Sequence, residues 1–169
     1  MSRKVEIAPA TLRDASYIMA NLRPQDREEV VCQVHDSVKM HEMAYHLLMG
    51  SDAFAASYNG QPAMFFGTSP INVACLSVWA LGTRHMHRTV PAVTRFLLNH
   101  LEDRMAQGYH TMEARSLMSH TMAHRWIIGA GGRASGEPFV YGKDGEKFLL
   151  FRWTKDSFEA IKAKHRSAA

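Results

Sequence analysis

The stretch of residues 73–108 constrains the fold more than any other part of the sequence. It begins with an apolar run rich in β-favouring residues, at positions 73–81, which predicts a buried strand. A polar elbow at residues 82–89 follows. Beyond the elbow, apolar residues recur in steps of three and four. This spacing, with Pro91 in a first turn, predicts an amphipathic helix over residues 90–107 that stops at Gly108.

The elbow has the charge and the position of an anion site. Free backbone N–H groups at the start of a helix attract anions, and Thr89 is predicted to cap this helix. Two arginines and two histidines add positive charge: Arg84, His85, His87 and Arg88. One interpretation is a phosphate-bearing ligand, and the other is an ordinary strand-to-helix connection on a basic protein. Gly82 stands alone at the start of the elbow, so the sequence leaves both open.

Composition places the chain among globular proteins of one domain. Hydrophobic residues make up 46% and charged residues 21% of its 169 positions. We expect a domain over residues 1–155 and a polar tail over residues 156–169, with some helical pattern at Phe158 and Ile161. No apolar run is long enough for a membrane span, and the N-terminus has no signal-peptide pattern. Cys32 and Cys75 lie in apolar patterns and are expected to be buried free thiols.

The charge pattern limits the kinds of partner that the chain is expected to bind. A formal net charge of +4 and a pI of about 9.2 are compatible with acidic ligands. Lysines and arginines are spread along the chain, so specific nucleic-acid binding is not expected. Two histidine pairs, His85 with His87 and His120 with His124, each lack a third ligand, so no metal site is predicted.

The remaining segments predict helices and mostly antiparallel strands. Asn59-Gly60 predicts a hairpin turn whose second strand ends at residues 68–70, and Ser119 is predicted to cap a helix with Met122 facing inward. The predicted class is α+β: a mixed, mostly antiparallel twisted sheet of about six to seven strands flanked by helices. Further elements are expected in the following order. A strand at residues 4–8 is followed by three helices, at residues 11–21, from Pro24 onward and at residues 37–49. After the hairpin come a strand at residues 110–115, a helix at residues 119–128 and a last hairpin around residues 143–145.

This order and two local patterns resemble the GNAT superfamily of N-acetyltransferases over most of residues 3–153. Residues 5–14 resemble the family's first strand and its R-x-A-x-x-x-D motif. Residues 120–132 resemble its N-x-x-A-x-x-F-Y-x-x-x-G-F motif, with Ala123, Trp126 and Gly131 in register. The resemblance implies acetyl-CoA as the cofactor, with its pyrophosphate at the elbow. The implied contacts are Leu81, Gly82, Arg84, His85, His87, Arg88 and Thr89.

The chain departs from that family at positions that carry its chemistry. The family's loop has the pattern Q/R-x-x-G-x-G/A, whereas this elbow has Gly82 alone and side chains that narrow the approach to the backbone. Ile127 stands where a tyrosine acid is frequent, and His120 stands where an asparagine is. The strand at residues 73–81 carries no carboxylate. Glu113 on the next strand is therefore the nearest candidate for a general base, although a single Glu on a strand usually faces solvent.

Among GNAT-like chains, the C-terminal third resembles the small internal virion protein of short-tailed phages. The shared features lie in residues 126–151: a helix ending in Ile-Gly-Ala, then an aromatic strand pair with Asp-Gly between its strands. This resemblance implies a structural component of the ejected core or the portal region, in the virion or the host cytoplasm. Its partners would be other virion proteins or copies of itself, and it would have no enzymatic activity. The alternative is a divergent acetyl-CoA-dependent N-acetyltransferase acting on an amine, with water or Glu113 as base.

Overall fold

The computed structural model of the protein describes residues 4–167. Within them the chain forms eight strands, six helices and one 3₁₀ turn. The strands are β1 Val5–Pro9, β2 Asp52–Tyr58, β3 Gln61–Asn72, β4 Cys75–Gly82, β5 Thr111–Leu117, β6 Arg133–Ala134, β7 Phe139–Val140 and β8 Lys147–Thr154. The helices are α1 Leu12–Ala20, α2 Pro24–Val31, α3 Met40–Met49, α4 Val90–Ala106, α5 Thr121–Gly129 and α6 Lys155–Ser167, and the 3₁₀ turn is Met86–Arg88.

The strands form one mixed sheet in the order β1-β2-β3-β4-β5-β8-β6, with β7 also paired to β8. The pairs β1–β2, β2–β3, β5–β8, β6–β8 and β7–β8 are antiparallel, and β4–β5 is parallel. The predicted α+β class with a mostly antiparallel sheet is confirmed. The sheet has eight strands rather than six or seven, because the short strand β6 adds to the predicted set.

The chain divides into two compact units, the first made of residues up to Ser69 together with Val78–Leu97. Its core joins helices α1 and α3 to the sheet. Ala15, Ile18 and Ala44 are fully buried there. Helix α1, predicted over residues 11–21, begins with a capping box: Thr11 Oγ1 accepts from the Asp14 amide at 3.2 Å, and Asp14 Oδ2 accepts from the Thr11 amide at 3.1 Å.

The hairpin predicted at Asn59-Gly60 joins β2 to β3. Asn59 has a φ of 50° and Gly60 a φ of 79°, the left-handed pair that a two-residue hairpin turn requires. The predicted end of the second strand at residues 68–70 is wrong, because β3 continues to Asn72. Pro70 lies at the exposed end of this strand, where a missing ladder N–H is tolerated.

The second unit comprises Pro70–Ser77 and the residues from Leu98 onward. Its sheet buries one face through cross-strand pairs such as Met112 with Trp153, both almost fully buried. The indole of Trp153 donates to the Ala130 carbonyl at 3.0 Å. Most of the segment expected as a polar tail is the helix α6, because Phe158 and Ile161 are buried.

Local boundaries differ from the predictions in several places. α5 begins at Thr121, so Ser119 does not cap it, since Thr121 donates its amide to the Ser119 carbonyl in a tight turn. Met122 is 55% exposed rather than inward. Cys32 is buried and Cys75 is half-buried, and neither forms a disulfide within the described residues. Among the described residues, no helix is both long and apolar enough to cross a membrane.

Candidate functional site

The elbow between β4 and α4 lies entirely in the first unit. β4 ends at Gly82, a turn leads into the 3₁₀ turn Met86–Arg88, and α4 begins at Val90. Pro91 therefore stands in the first turn of α4, as predicted. The helix ends at Ala106, and Gly108 follows with a φ of 108°. The short connection and the helix are thus where the sequence predicted them. The strand begins at Cys75 rather than at Val73, which is 94% exposed in the preceding turn.

A buried carboxylate holds the end of β4 against the start of α2. The Gly82 amide donates to Asp26 Oδ2 at 2.7 Å, and the Gly82 carbonyl accepts from the Arg23 amide at 2.9 Å. Asp26 is 2% exposed. Arg23 Nε lies 2.9 Å from Asp26 Oδ1, which makes an ion pair. The Nε–H of Arg23 does not form a hydrogen bond in this arrangement. This Asp26 clamp fixes where the elbow begins.

Most elbow amides already have protein acceptors. Their bonds are Gly82 to Asp26 Oδ2, Thr83 to the Ala63 carbonyl, His85 to Thr83 Oγ1, Met86 to the Thr83 carbonyl, Arg88 to the His85 carbonyl and Thr89 to the Met86 carbonyl. Within residues 4–167, the amides of Arg84, His87, Val90 and Ala92 have no protein acceptor. Two backbone donors of the elbow and two of the first turn of α4 therefore stay available to a ligand.

Thr89 does not cap α4 with its side chain. Its Oγ1 donates to the Met86 carbonyl at 2.8 Å, while its carbonyl accepts from the Val93 amide at 2.9 Å. Because the hydroxyl serves the preceding 3₁₀ turn, the predicted side-chain cap is wrong although the position is right. The first amides of the helix stay available to other acceptors.

The seven predicted cofactor contacts separate into an exposed and an interior set. Arg84, His87 and Arg88 are exposed, and His85 is half-buried with its Nε2 3.1 Å from Arg84 Nε. The interior set consists of Leu81, which packs against the helical core, and the buried Gly82 and Thr89. The exposed residues can meet a ligand, whereas the interior ones shape the elbow.

Gly82 makes room for Met86 rather than for a ligand. A Cβ built on Gly82 would lie close to Met86 Sδ, at 2.4 Å. Met86 is 2% exposed, so it fills the space beside this glycine. The elbow thus offers an anion free amides and exposed basic side chains, and not a glycine cradle.

Glu113 lies in the second unit and does not face solvent, contrary to the prediction. It is 6% exposed on β5, opposite Ser77 of β4. Arg115 Nη2 lies 2.6 Å from Glu113 Oε1, and Arg152 Nε lies 3.5 Å from Oε2. Two guanidinium groups on the same sheet face therefore cover this carboxylate and engage both its oxygens. Burial raises the pKa of the nearby Cys75 thiol. The Glu113 charge raises that pKa further, and Arg152 and Arg115 lower it.

The histidines predicted not to bind metal have other surroundings. His120 is 5% exposed at the start of α5, and His124 has its Nε2 3.0 Å from the Leu117 carbonyl oxygen. Among the described residues no group of three or more His, Cys, Asp or Glu side chains could hold a metal ion. Ile127 packs close to Gly132, whose added Cβ would lie 2.7 Å from Ile127 Cγ2.

Sequence reasoning missed the Asp26 clamp and the arginines around Glu113. Asp26 lies in the first turn of α2, and its bond to Gly82 spans 56 positions in sequence. Arg115 stands two residues after Glu113, on the same face of β5, which was a local signal for the pair. Arg152 reaches Glu113 through the antiparallel partner strand β8, which no local pattern shows.

Comparison with known proteins identifies the fold. No protein-family model matches the sequence, and no curated protein matches it. Solved structures do match. The protein yncA of Salmonella typhimurium, solved with its cofactor acetyl-CoA, is 16% identical with a TM-score of 0.65, over 89% of this chain and 93% of that one.

Two further structures agree. The ribosomal-protein-alanine N-acetyltransferase of Brucella melitensis is 14% identical with a TM-score of 0.66, over 88% of this chain and 99% of that one. An N-acetyltransferase of Staphylococcus aureus Mu50 is 13% identical with a TM-score of 0.68, over 89% and 98%. The chain therefore has the fold of the GNAT acetyltransferases.

Proposed function

We propose that the protein is a divergent acetyl-CoA-dependent N-acetyltransferase that acts on an amine. The observation that carries the proposal is the elbow. The amides of Arg84 and His87 and the exposed side chains of Arg84, His87 and Arg88 lie between β4 and α4, and two more amides without protein acceptors, those of Val90 and Ala92, follow in the first turn of α4. The likeness in fold to a protein solved with acetyl-CoA supports acetyl-CoA as the cofactor.

The elbow residues bind the cofactor by charge and backbone donors. Arg84 and Arg88 offer guanidinium groups to phosphate oxygens, and the dipole of the 17-residue helix α4 adds partial positive charge at its start. The Asp26 clamp keeps the elbow in place, so little ordering is needed on binding.

The chemistry asks little of the side chains. Bound acetyl-CoA supplies an acetyl group that is already activated as a thioester. The chain's own task is then to orient the amine and to let its proton leave, which water can accept. Glu113 is less suited to take that proton directly, because two arginines engage its oxygens. A missing tyrosine at Ile127 is compatible with such a mechanism.

Isothermal titration with acetyl-CoA at low salt tests the proposal. Wild-type protein is expected to show saturable binding that weakens at high salt, since exposed charges are screened. The double variant Arg84→Glu, Arg88→Glu is expected to bind about a hundredfold more weakly or not at all, because two charge-assisted contacts are lost and like charges replace them. Both side chains are exposed, so circular dichroism is expected to show an intact fold.

The matched control is Arg13→Glu, Arg27→Glu. These two arginines are exposed on α1 and α2, and their replacement changes the net charge by the same amount. Their variant is expected to keep nearly wild-type affinity. Equal loss in both variants would point to the overall charge rather than to the elbow. Flat heats for the wild type at both salt concentrations would refute the cofactor assignment.

A second candidate function is a GNAT-fold structural protein without transferase activity. Six elbow amides bonded within the protein, and Met86 packed against the single elbow glycine, favour it, because they replace the open cradle of the family's loop. In this alternative the protein is a virion component of a short-tailed phage, with other virion proteins or copies of itself as partners. Flat heats with acetyl-CoA, together with association of the purified protein, are the outcomes that it requires.

A further inference from the structure

One face of the sheet in the second unit concentrates positive charge around Glu113. In paired strands, residues opposite each other point to the same face. Glu113 is opposite Arg152, and Arg152 is in turn opposite Arg133 on β6. Arg115 shares this face because it lies two residues from Glu113 on β5. At these positions three guanidinium groups share one face of the sheet with one carboxylate. We call the two arginines that pair with Glu113 the Arg115–Arg152 cluster.

The carboxylate lies beneath the arginines. Glu113 is 6% exposed, while the side chains of Arg115 and Arg152 are 29% and 46% exposed. Glu113 engages Arg115 through Nη2 and Arg152 through Nε. A guanidinium has five N–H donors in a planar fork, so a carboxylate on one edge leaves donors on the other edges. Excess positive charge therefore faces outward from a fixed base.

Neighbouring groups hold both arginines in place. Arg115 lies over the ring of Tyr141, with its Cζ 5.4 Å from the ring centroid. Arg152 Nη1 donates to Ser135 Oγ at 3.3 Å. A guanidinium that is already oriented loses less conformational entropy when it binds an anion.

We propose that the Arg115–Arg152 cluster binds a carboxylate of the acceptor, so that the substrate is an amine that also bears a carboxylate, such as an amino acid. A planar carboxylate matches the fork of a guanidinium in a bidentate contact. Arg152 is the principal anchor, because it is the more exposed and the less tightly held by Glu113. The identity of the ligand as an acceptor rests on the proposed acetyltransferase function, but carboxylate binding at the cluster does not.

The test measures direct binding in the absence of acetyl-CoA by ligand-observed NMR titration. The probes are the N-acetyl derivatives of the standard amino acids, each with its uncharged carboxamide counterpart. Wild-type protein is expected to bind at least one N-acetyl amino acid saturably and its carboxamide at least about tenfold more weakly, because the charged contact is lost. Arg152→Gln is expected to weaken binding of the acid about tenfold and to leave binding of the carboxamide unchanged. Arg152→Lys, which keeps the charge but not the fork, is expected to lie between them.

Arg125→Gln is the matched control, because Arg125 is an exposed arginine of the same unit, on α5. It is expected to bind the acids as the wild type does. Arg152→Gln also avoids a folding artefact, since Arg115 still pairs with Glu113 in that variant. Equal binding of acids and carboxamides, an unchanged affinity in Arg152→Gln, or no binding of any probe would overturn the proposal. Tighter binding of inorganic phosphate than of every acid would also overturn it.

The outcome is separable from that of the acetyl-CoA assignment. The variant Arg84→Glu, Arg88→Glu is expected to lose acetyl-CoA and to keep the acids, whereas Arg152→Gln is expected to do the reverse. Carboxylate binding with flat acetyl-CoA heats would leave this site standing and remove the transferase function. Acetyl-CoA binding without selective carboxylate binding would leave the transferase function standing and remove this site.

Discussion

At the scale of single residues, Asp26 contributes most to the structure around the candidate site. Its carboxylate is almost fully buried, accepts the Gly82 amide at 2.7 Å and neutralises Arg23. A buried charge is tolerated only when it is paired and hydrogen-bonded. The residue therefore connects the stability of α2 to the position of the elbow.

Asp26→Ala is expected to lower the free energy of unfolding by about 3 kcal/mol or more, because it leaves the Arg23 charge and the Gly82 amide without their buried partner. Asp26→Asn is expected to cost less, roughly 1–2 kcal/mol, since its amide oxygen can still accept from Gly82. Urea unfolding monitored by circular dichroism measures the free energy of unfolding of both variants. The control is Glu28→Ala on the exposed side of the same helix, and equal stability of all three variants would contradict the role of the clamp.

At the scale of elements, predictions succeeded where neighbours in sequence decide the structure. The start of the helix predicted from residue 11 and the turn at Asn59-Gly60 each depend on a few consecutive residues, the first through a capping box of Thr11 and Asp14. The break predicted at residues 68–70 failed because pairing with β2 extends to Thr68, and Ser69 is held by the Trp79 indole at 3.0 Å. Such cross-strand partners are not visible in a local pattern.

The close approach of β2 and β3 gives a prediction at this scale. A Cβ at Gly67 would lie 2.1 Å from the carbonyl oxygen of Asp52, a backbone atom that cannot turn aside. Gly67→Ala is expected to destabilise the protein by about 1–3 kcal/mol, as overpacking does. Differential scanning calorimetry is expected to show a lower Tm.

Gly129→Ala provides the contrast, because a Cβ there meets no atom within 4 Å and the residue belongs to the helix α5. It is expected to be neutral or to raise the Tm slightly, since alanine favours a helix more than glycine does. A Gly67→Ala protein as stable as Gly129→Ala would show that the hairpin can relax around the added methyl group.

At the scale of the whole molecule, the sequence predicted the fold class and the place of the elbow, but not the surroundings of either candidate site. Strand, elbow and helix follow from hydrophobic periodicity, which is a property of the chain alone. The burial of Glu113 beneath Arg115 and Arg152 depends on which strands pair, and the engagement of the elbow amides depends on Asp26 and Ala63, far away in sequence. Charge in the sequence thus indicated an anion site, while the free donors had to be found in the structure.

The charge of the whole molecule also shapes its response to acid. The chain has a formal net charge of +4 with ten histidines besides, so protonation adds to an existing excess of positive charge. Burial lowers the pKa of His100 on α4 below its ordinary value of 6.5, and Asp103 only partly opposes this. In the unfolded chain His100 regains its ordinary pKa, so just below pH 6.5 the unfolded state binds more protons than the folded state. Stability from this group is therefore fully present above pH 6.5 and falls as the pH drops towards the lowered folded-state value.

The variant His100→Gln, which cannot titrate, isolates this contribution. The free energy of unfolding, measured by urea titration at a series of pH values, is expected to fall less steeply below pH 6.5 in the variant than in the wild type. His41→Gln, which replaces an exposed histidine on α3, is expected to keep the wild-type slope. Parallel curves for the wild type and His100→Gln would mean that the folded protein accommodates a charged His100 without cost.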